Sequence, residues 1–179
     1  SQPSVEQLSV VIDPRPPIAE SDAFGVRAGD LTTLPVLMND HDPNEDVLSI
    51  DPTSVTGPDP GFGTVSITDD GQRLTVRTTP EARGSASFRY AATDGTSVGG
   101  LLSAPVTVTL TVAAEAQQSA PAWCGVPGCL VTWPEPEVER GGTVTVPVLP
   151  GWVDPEGDPL LLLSVQDASG IGSVAATPA

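Results

Sequence analysis

The chain has 179 residues and is 39% hydrophobic, which is enough apolar sequence for one good core or two small ones. Its formal net charge of -16 argues against binding nucleic acid or anionic lipid by charge, and no apolar stretch is long enough to insert into a membrane. All seven basic residues are arginines, so chemistry that depends on lysine is excluded.

The chain begins with an alternating apolar and polar segment. Residues 4–12 resemble residues 104–112, which close the first of two similar regions described below. Alternation of this kind is typical of a half-buried strand. We therefore interpret residues 1–13 as the last strand of a preceding domain.

Part of the sequence repeats at a spacing of 112 residues. Residues 26–48 align without a gap on residues 138–160, and ten of the 23 positions are identical, including an Asp-Pro-x-x-Asp-x-Leu segment. A period near one hundred residues is the size of a small domain. We predict a complete domain over 14–113, a linker over 114–122, and the N-terminal half of a second domain over 123–179.

The periodicity between the turns is that of strands. Residues 64–68, 73–79, 85–91 and 105–112 alternate apolar with polar side chains, and turn residues follow each of the first three runs. About seven such strands in a hundred residues are typical of an antiparallel β-sandwich. The side chains expected to point inward are Leu34, Val36, Val65, Ile67, Leu74, Val76, Phe88, Tyr90, Val106, Val108, Leu110 and Val112.

Several of these segments resemble a known family. They are Leu37 to Leu48 (LMNDHDPNEDVL), Gly63 to Val65, the Asp-Gly pairs that begin at Asp70 and Asp94, and the closing run 106–112. Together they resemble the bacterial Ig-like or cadherin-like tandem repeats of large surface and secreted proteins. The resemblance implies all-β, tandem Ig-like (cadherin-like) sandwich domains, the second one truncated, and an extracellular or cell-surface location.

The densest set of oxygen ligands lies in residues 39–46. Asp40, Asp42 and Asn44 have the spacing of the first three ligands of a calcium loop. The rest of that loop does not match, because Glu45 stands where a glycine is needed for the sharp turn. An Asp side chain that caps a turn opened by proline explains the Asp-Pro pair without a metal.

Topology favours the metal-binding alternative. In a seven-stranded sandwich this loop shares one pole with the turns that carry Asp69, Asp70 and Asp94, and Asp22 on the entering strand lies close by. Carboxylates crowded at one pole repel each other unless water or a cation separates them. The expected calcium ligands are Asp40, Asp42, Asp46, Asp22 and Asp94; the alternative is a merely acidic pole.

Other candidate chemistry is sparse. His41 is the only histidine and has no ligands or triad partners at suitable spacing, so we expect no enzyme activity. Cys124 and Cys129 are the only cysteines, and we expect a local disulfide between them, with free thiols as the alternative.

Two functions from different classes fit this sequence. The first is an extracellular structural or adhesive spacer, with neighbouring domains or other chains as partners and a possible homo-oligomer formed through the truncated domain. The second is a ligand- or carbohydrate-binding accessory module of a secreted enzyme. Such modules present rows of exposed aromatic rings, yet all three tryptophans lie in residues 123–152 and the complete domain has none. This distribution favours the spacer.

Overall fold

The computed structural model describes residues 13–95, 100–167 and 172–176. Within these ranges the chain forms short strands and a single 3-10 turn, Val36–Met38, and no α-helix. No helix in the described part is long and apolar enough to cross a membrane. The strands are β1 Asp22–Val26, β2 Leu31–Leu34, β3 Ser49–Ile50, β4 Gly63–Ile67, β5 Leu74–Thr78, β6 Ser85–Tyr90, β7 Ala92–Thr93, β8 Val106–Val112, β9 Ala122–Trp123 and β10 Trp152–Val153.

Two three-stranded sheets make up the first domain. One has the order β1-β8-β6 and the other β2-β5-β4, while β3 pairs with β7 and β9 with β10. All pairings are antiparallel except that of β1 with β8, which is parallel. Side chains from both three-stranded sheets meet in one hydrophobic cluster. The predicted all-β, Ig-like sandwich is therefore confirmed.

The core follows the alternation in the sequence. In β5, Leu74 and Val76 are fully buried while Arg77 between Val76 and Thr78 is exposed. Eight of the twelve side chains predicted to point inward are buried, and the other four are partly buried and pack against the same cluster. These four are Val65, Ile67, Val106 and Val112.

The segment after the linker packs against the first domain. Val126, between the two cysteines, is only 4% exposed and belongs to the core cluster of the first domain. The amide of Leu130 donates to the carbonyl of Met38 at 2.7 Å, and Nδ2 of Asn39 donates to the carbonyl of Pro127 at 3.2 Å. The insertion that precedes the second copy therefore completes part of the first domain's surface.

The second copy does not reproduce the β2-β5-β4 sheet of the first copy. Residues 143–146, which align with β2, form no strand in the described structure. In the first domain β2 is held by β5, and no described segment plays that part for residues 143–146. The pairing of β9 with β10 is what holds the described part of this copy together as a sheet.

Candidate functional site

The Asp-Pro-x-x-Asp loop of the first domain is a capped turn. Oδ1 of Asp42 accepts hydrogen bonds from the amides of Asn44 at 2.7 Å and Asp46 at 3.3 Å. Glu45 has a φ of 65°, a left-handed conformation that the turn imposes on a non-glycine residue. Turn capping thus accounts for one oxygen of Asp42. The other, Oδ2, is buried and has no hydrogen-bond partner in the described structure.

Three carboxylates converge beside this turn. An oxygen of each of Asp42, Asp46 and Asp94 lies within 4.8 Å of the others. The pairing of β3 with β7 causes the convergence, because β3 follows the Asp42 loop and Asp94 follows β7 directly. The amide of Leu101 donates to Oδ1 of Asp94 at 2.6 Å and fixes this third carboxylate.

The neighbouring turn does not contribute to this group. Oδ1 of Asp70 accepts from the amide of Gln72 and from the hydroxyl of Thr68, so it closes its own turn. Those hydrogen bonds, led by the one from Thr68, lower the pKa of Asp70. Neither Asp69 nor Asp70 belongs to the group of converging carboxylates found in the described residues.

Asp22 and Asp40 lie in a separate, buried cluster around Tyr90. Asp22 and Asp40 are both buried, and Tyr90 is fully buried. The Tyr90 hydroxyl lies 2.8 Å from Oδ2 of Asp40, 2.8 Å from the carbonyl of Val36 and 3.4 Å from Oδ2 of Asp22. Of the five expected calcium ligands, the structure therefore brings three together and places the other two in this cluster.

Burial changes the protonation of this cluster. It raises the pKa of Asp22 to about 7, with the negative charge of Asp40 adding to the effect, and it raises the pKa of Asp40 to about 6. Oδ1 of Asp22 and Oδ1 of Asn39 are both buried acceptors without a donor. A proton on Asp22 adds a donor to a cluster in which the single hydroxyl proton of Tyr90 faces three acceptors.

Sequence reasoning missed the role of Tyr90. The alternation of β6 gave it an inward side chain, but its hydroxyl is what gathers the two aspartates. A tyrosine at an alternating apolar position, rather than phenylalanine, was the available signal, because a buried hydroxyl usually finds a partner.

The two cysteines form a disulfide in the structure, with a Cα–Cα distance of 5.5 Å. We expect that replacing both Cys124 and Cys129 by serine lowers the free energy of unfolding by about 2 kcal/mol, since so short a loop loses little chain entropy when it is closed. Urea denaturation of the oxidised protein and of the double variant, followed by tryptophan fluorescence, measures this difference. Equal midpoints would show that the bond does not contribute to stability.

The three tryptophans pack around one another beside this disulfide. The ring centroid of Trp123 lies 4.8 Å from that of Trp133 and 5.9 Å from that of Trp152. All three pairs of rings, including Trp133 with Trp152, meet edge to face. This geometry is that of a packed cluster rather than of a flat row of rings.

Comparison with known proteins places the domain in a family. A family model described as "Bacterial Ig domain" matches residues 14–120. No curated protein matches the chain. Among solved structures, a nucleoside hydrolase-related protein from Saccharophagus degradans, associated with carbohydrate metabolism, is 17% identical with a TM-score of 0.39, and the match covers 56% of this chain and 26% of that one.

An endo-fucoidan hydrolase of glycoside hydrolase family 107 is 22% identical with a TM-score of 0.35, and the match covers 60% of this chain and 16% of that one. The chain thus spans a minor part of both structures. The family match covers more than half of this chain and contains the whole sandwich of β1 to β8. The chain therefore belongs to the bacterial Ig domain family.

Proposed function

We propose that this protein is a non-catalytic, extracellular structural or adhesive spacer that is stabilised by calcium. The family and the partial repeat support a modular array, since like domains in series usually hold other modules apart or together. The packing of Val126 and Leu130 on the first domain supports a fixed connection between consecutive modules.

The main observation in support of a calcium site is that Oδ2 of Asp42 has no hydrogen-bond partner in the described structure. A buried carboxylate oxygen without a donor is costly unless something positive binds it. One carboxylate oxygen from each of Asp42, Asp46 and Asp94 lies within 4.8 Å of the others, and oxygen is the ligand that calcium prefers. We propose that these three carboxylates hold the ion, while Asp22 and Asp40 stay with Tyr90.

Calcium should raise the melting temperature of the protein. If the ion binds only the folded state, a concentration one hundred times its dissociation constant adds about 2.7 kcal/mol to the free energy of unfolding. The double variant Asp42→Asn/Asp46→Asn should lose the response, although asparagine at position 42 keeps the oxygen that caps the turn. Melting with chelator and with millimolar calcium measures the effect.

Asp69→Asn is the matched control, because Asp69 is exposed on an adjacent acidic turn and lies outside the three-carboxylate group. It should respond to calcium as the unaltered protein does. An identical melting temperature with chelator and with calcium would leave turn capping as the whole explanation of the motif.

The alternative function, a carbohydrate-binding accessory module of a secreted enzyme, requires exposed rings in a row. Trp133 is 51% exposed, but it packs edge to face against Trp123 and Trp152. That arrangement favours the spacer over the carbohydrate-binding module.

The proposed partners are neighbouring repeats and other protein chains, including a second copy of this one. Apolar side chains of the second copy lie open where their counterparts are buried: Val26 is fully buried, whereas Val138 at the matching position is 54% exposed. Leu161 and Leu163 are 79% and 91% exposed. We propose that strands from a partner cover these side chains.

A further inference from the structure

The second copy of the Asp-Pro-x-x-Asp loop has the same turn as the first. Oδ1 of Asp154 accepts from the amides of Glu156 at 2.9 Å and Asp158 at 3.1 Å, as Oδ1 of Asp42 does in the first copy. The turns are alike, and the two loops differ in what the other carboxylate oxygens contact.

In the second loop the last carboxylate, that of Asp158, is bound by the guanidinium of Arg27. Nε and Nη2 of Arg27 donate to the two oxygens of Asp158 at 2.9 and 2.8 Å, a bidentate pair. The same guanidinium donates to the carbonyls of Ala114 at 2.6 Å and Gln117 at 2.7 Å. Arg27 is 9% exposed, so one side chain of the first domain ties together the linker and the second loop.

The third residue of each loop, Asn44 or Glu156, forms hydrogen bonds with a chain segment that precedes the loop. Glu156 is fully buried and accepts from Nε2 of Gln117 and from the amide and hydroxyl of Ser119. Asn44, at the matching position of the first loop, accepts from the amide of Arg15 and donates to the carbonyl of Asp13. In both copies the third residue of the motif thus ties the loop to a chain segment that precedes it.

Two glycines allow the second loop to reach the first domain. A Cβ on Gly25 would lie 2.0 Å from the carbonyl oxygen of Pro155, and one on Gly157 would lie 2.4 Å from that of Gly25. Backbone atoms cannot retreat from such contacts cheaply, so both positions require glycine. The hydroxyl of Thr32 donates to the carbonyl of Gly157 at 3.3 Å and completes the contact.

The second copy lacks this surface. In the alignment Glu139 takes the position of Arg27, and one residue before the aligned region Glu137 stands opposite Gly25. A side chain at the first position blocks the close approach, and an acidic one at the second repels an aspartate.

We propose that Gly25, Arg27 and Thr32 form a receptor for an Asp-Pro-Glu-Gly-Asp loop of the following repeat, fastened by a guanidinium rather than by a metal ion. The proposal deepens the proposed spacer function, because such a receptor sets which repeat can follow which. A repeat that carries Glu at the two receptor positions does not accept the loop.

The variant Arg27→Glu tests the receptor, since it introduces the residue of the second copy. We expect amide hydrogen exchange in residues 114–119 and 154–158 to accelerate by about tenfold or more, where tenfold corresponds to about 1.4 kcal/mol. Exchange in β5 should stay slow. Tryptophan fluorescence, which reports on residues 123–152 alone, should show a separate transition at lower urea.

Arg77→Glu is the matched control, with the same change of charge at an exposed arginine on β5, and it should leave both measurements unchanged. The reversed pair Arg27→Glu/Asp158→Arg should restore slow exchange in residues 154–158, while residues 114–119 stay accelerated because the carbonyls of Ala114 and Gln117 lose their guanidinium donor. Unchanged exchange in Arg27→Glu, or equal acceleration in β5 without recovery in the reversed pair, would overturn the proposal. Chelator should not affect the joint, so this outcome is independent of the calcium experiment.

Discussion

Replacing Asp22 by asparagine should stabilise the protein at pH 8 by about 2 kcal/mol or more, because one unit of pKa shift corresponds to about 1.4 kcal/mol. Burial raises the pKa of Asp22 from 3.8 to about 7. The folded state therefore keeps a proton that the unfolded state releases, and folding becomes less favourable as the pH rises from about 4 to about 7. Asparagine does not titrate, and its amide supplies a donor at every pH.

Urea denaturation at several pH values between 4 and 8, in the presence of chelator, measures this effect. The unaltered protein should lose stability as the pH rises through this window, and Asp22→Asn should lose much less. A residual slope of the same sign is expected from Asp40, whose pKa is raised to about 6; Glu20, His41 and Tyr90 also face this carboxylate. Asp30→Asn, at an exposed position, is the control, and parallel curves for all three proteins would contradict the prediction.

Leu74→Ala should lower the free energy of unfolding by about 2 to 5 kcal/mol, the cost of deleting a large side chain from a packed core. Leu74 is fully buried on the central strand of the β2-β5-β4 sheet. Leu31→Ala, on the adjacent strand and 53% exposed, should cost less than about 0.5 kcal/mol. Equal losses in the two variants, measured by urea denaturation, would show that the alternation does not define the core.

Local alternation was enough to predict the strands with the strongest period. The runs 64–68, 73–79, 85–91 and 105–112 correspond to β4, β5, β6 and β8, with ends that shift by one residue or so. Alternation does not reveal pairing, so the parallel contact of β1 with β8 was beyond it. Nor could it place Val126 in the core, because that burial depends on a distant loop folding back.

Topology predicted part of the acidic site. It placed Asp94 beside the Asp42 loop, and the structure has the two side by side through the pairing of β3 with β7. It did not separate Asp22 and Asp40 from that group, because their separation depends on the hydroxyl of a single tyrosine. Arg27 was missed because a charge at the end of a strand usually faces water, and here the guanidinium instead contacts the linker and Asp158 of the second copy.

The parallel pairing of β1 with β8 has a mechanical consequence. Asp22 to Val26 run alongside Val108 to Val112 in the same direction, residue for residue. Tension along an array would pull the start of β1 and the end of β8 in opposite directions along their common axis. The hydrogen bonds between the two strands would then carry the load together, in shear, instead of opening one after another as in a hairpin peeled from its end. The domain should therefore resist stretching most strongly along the direction in which its neighbours pull.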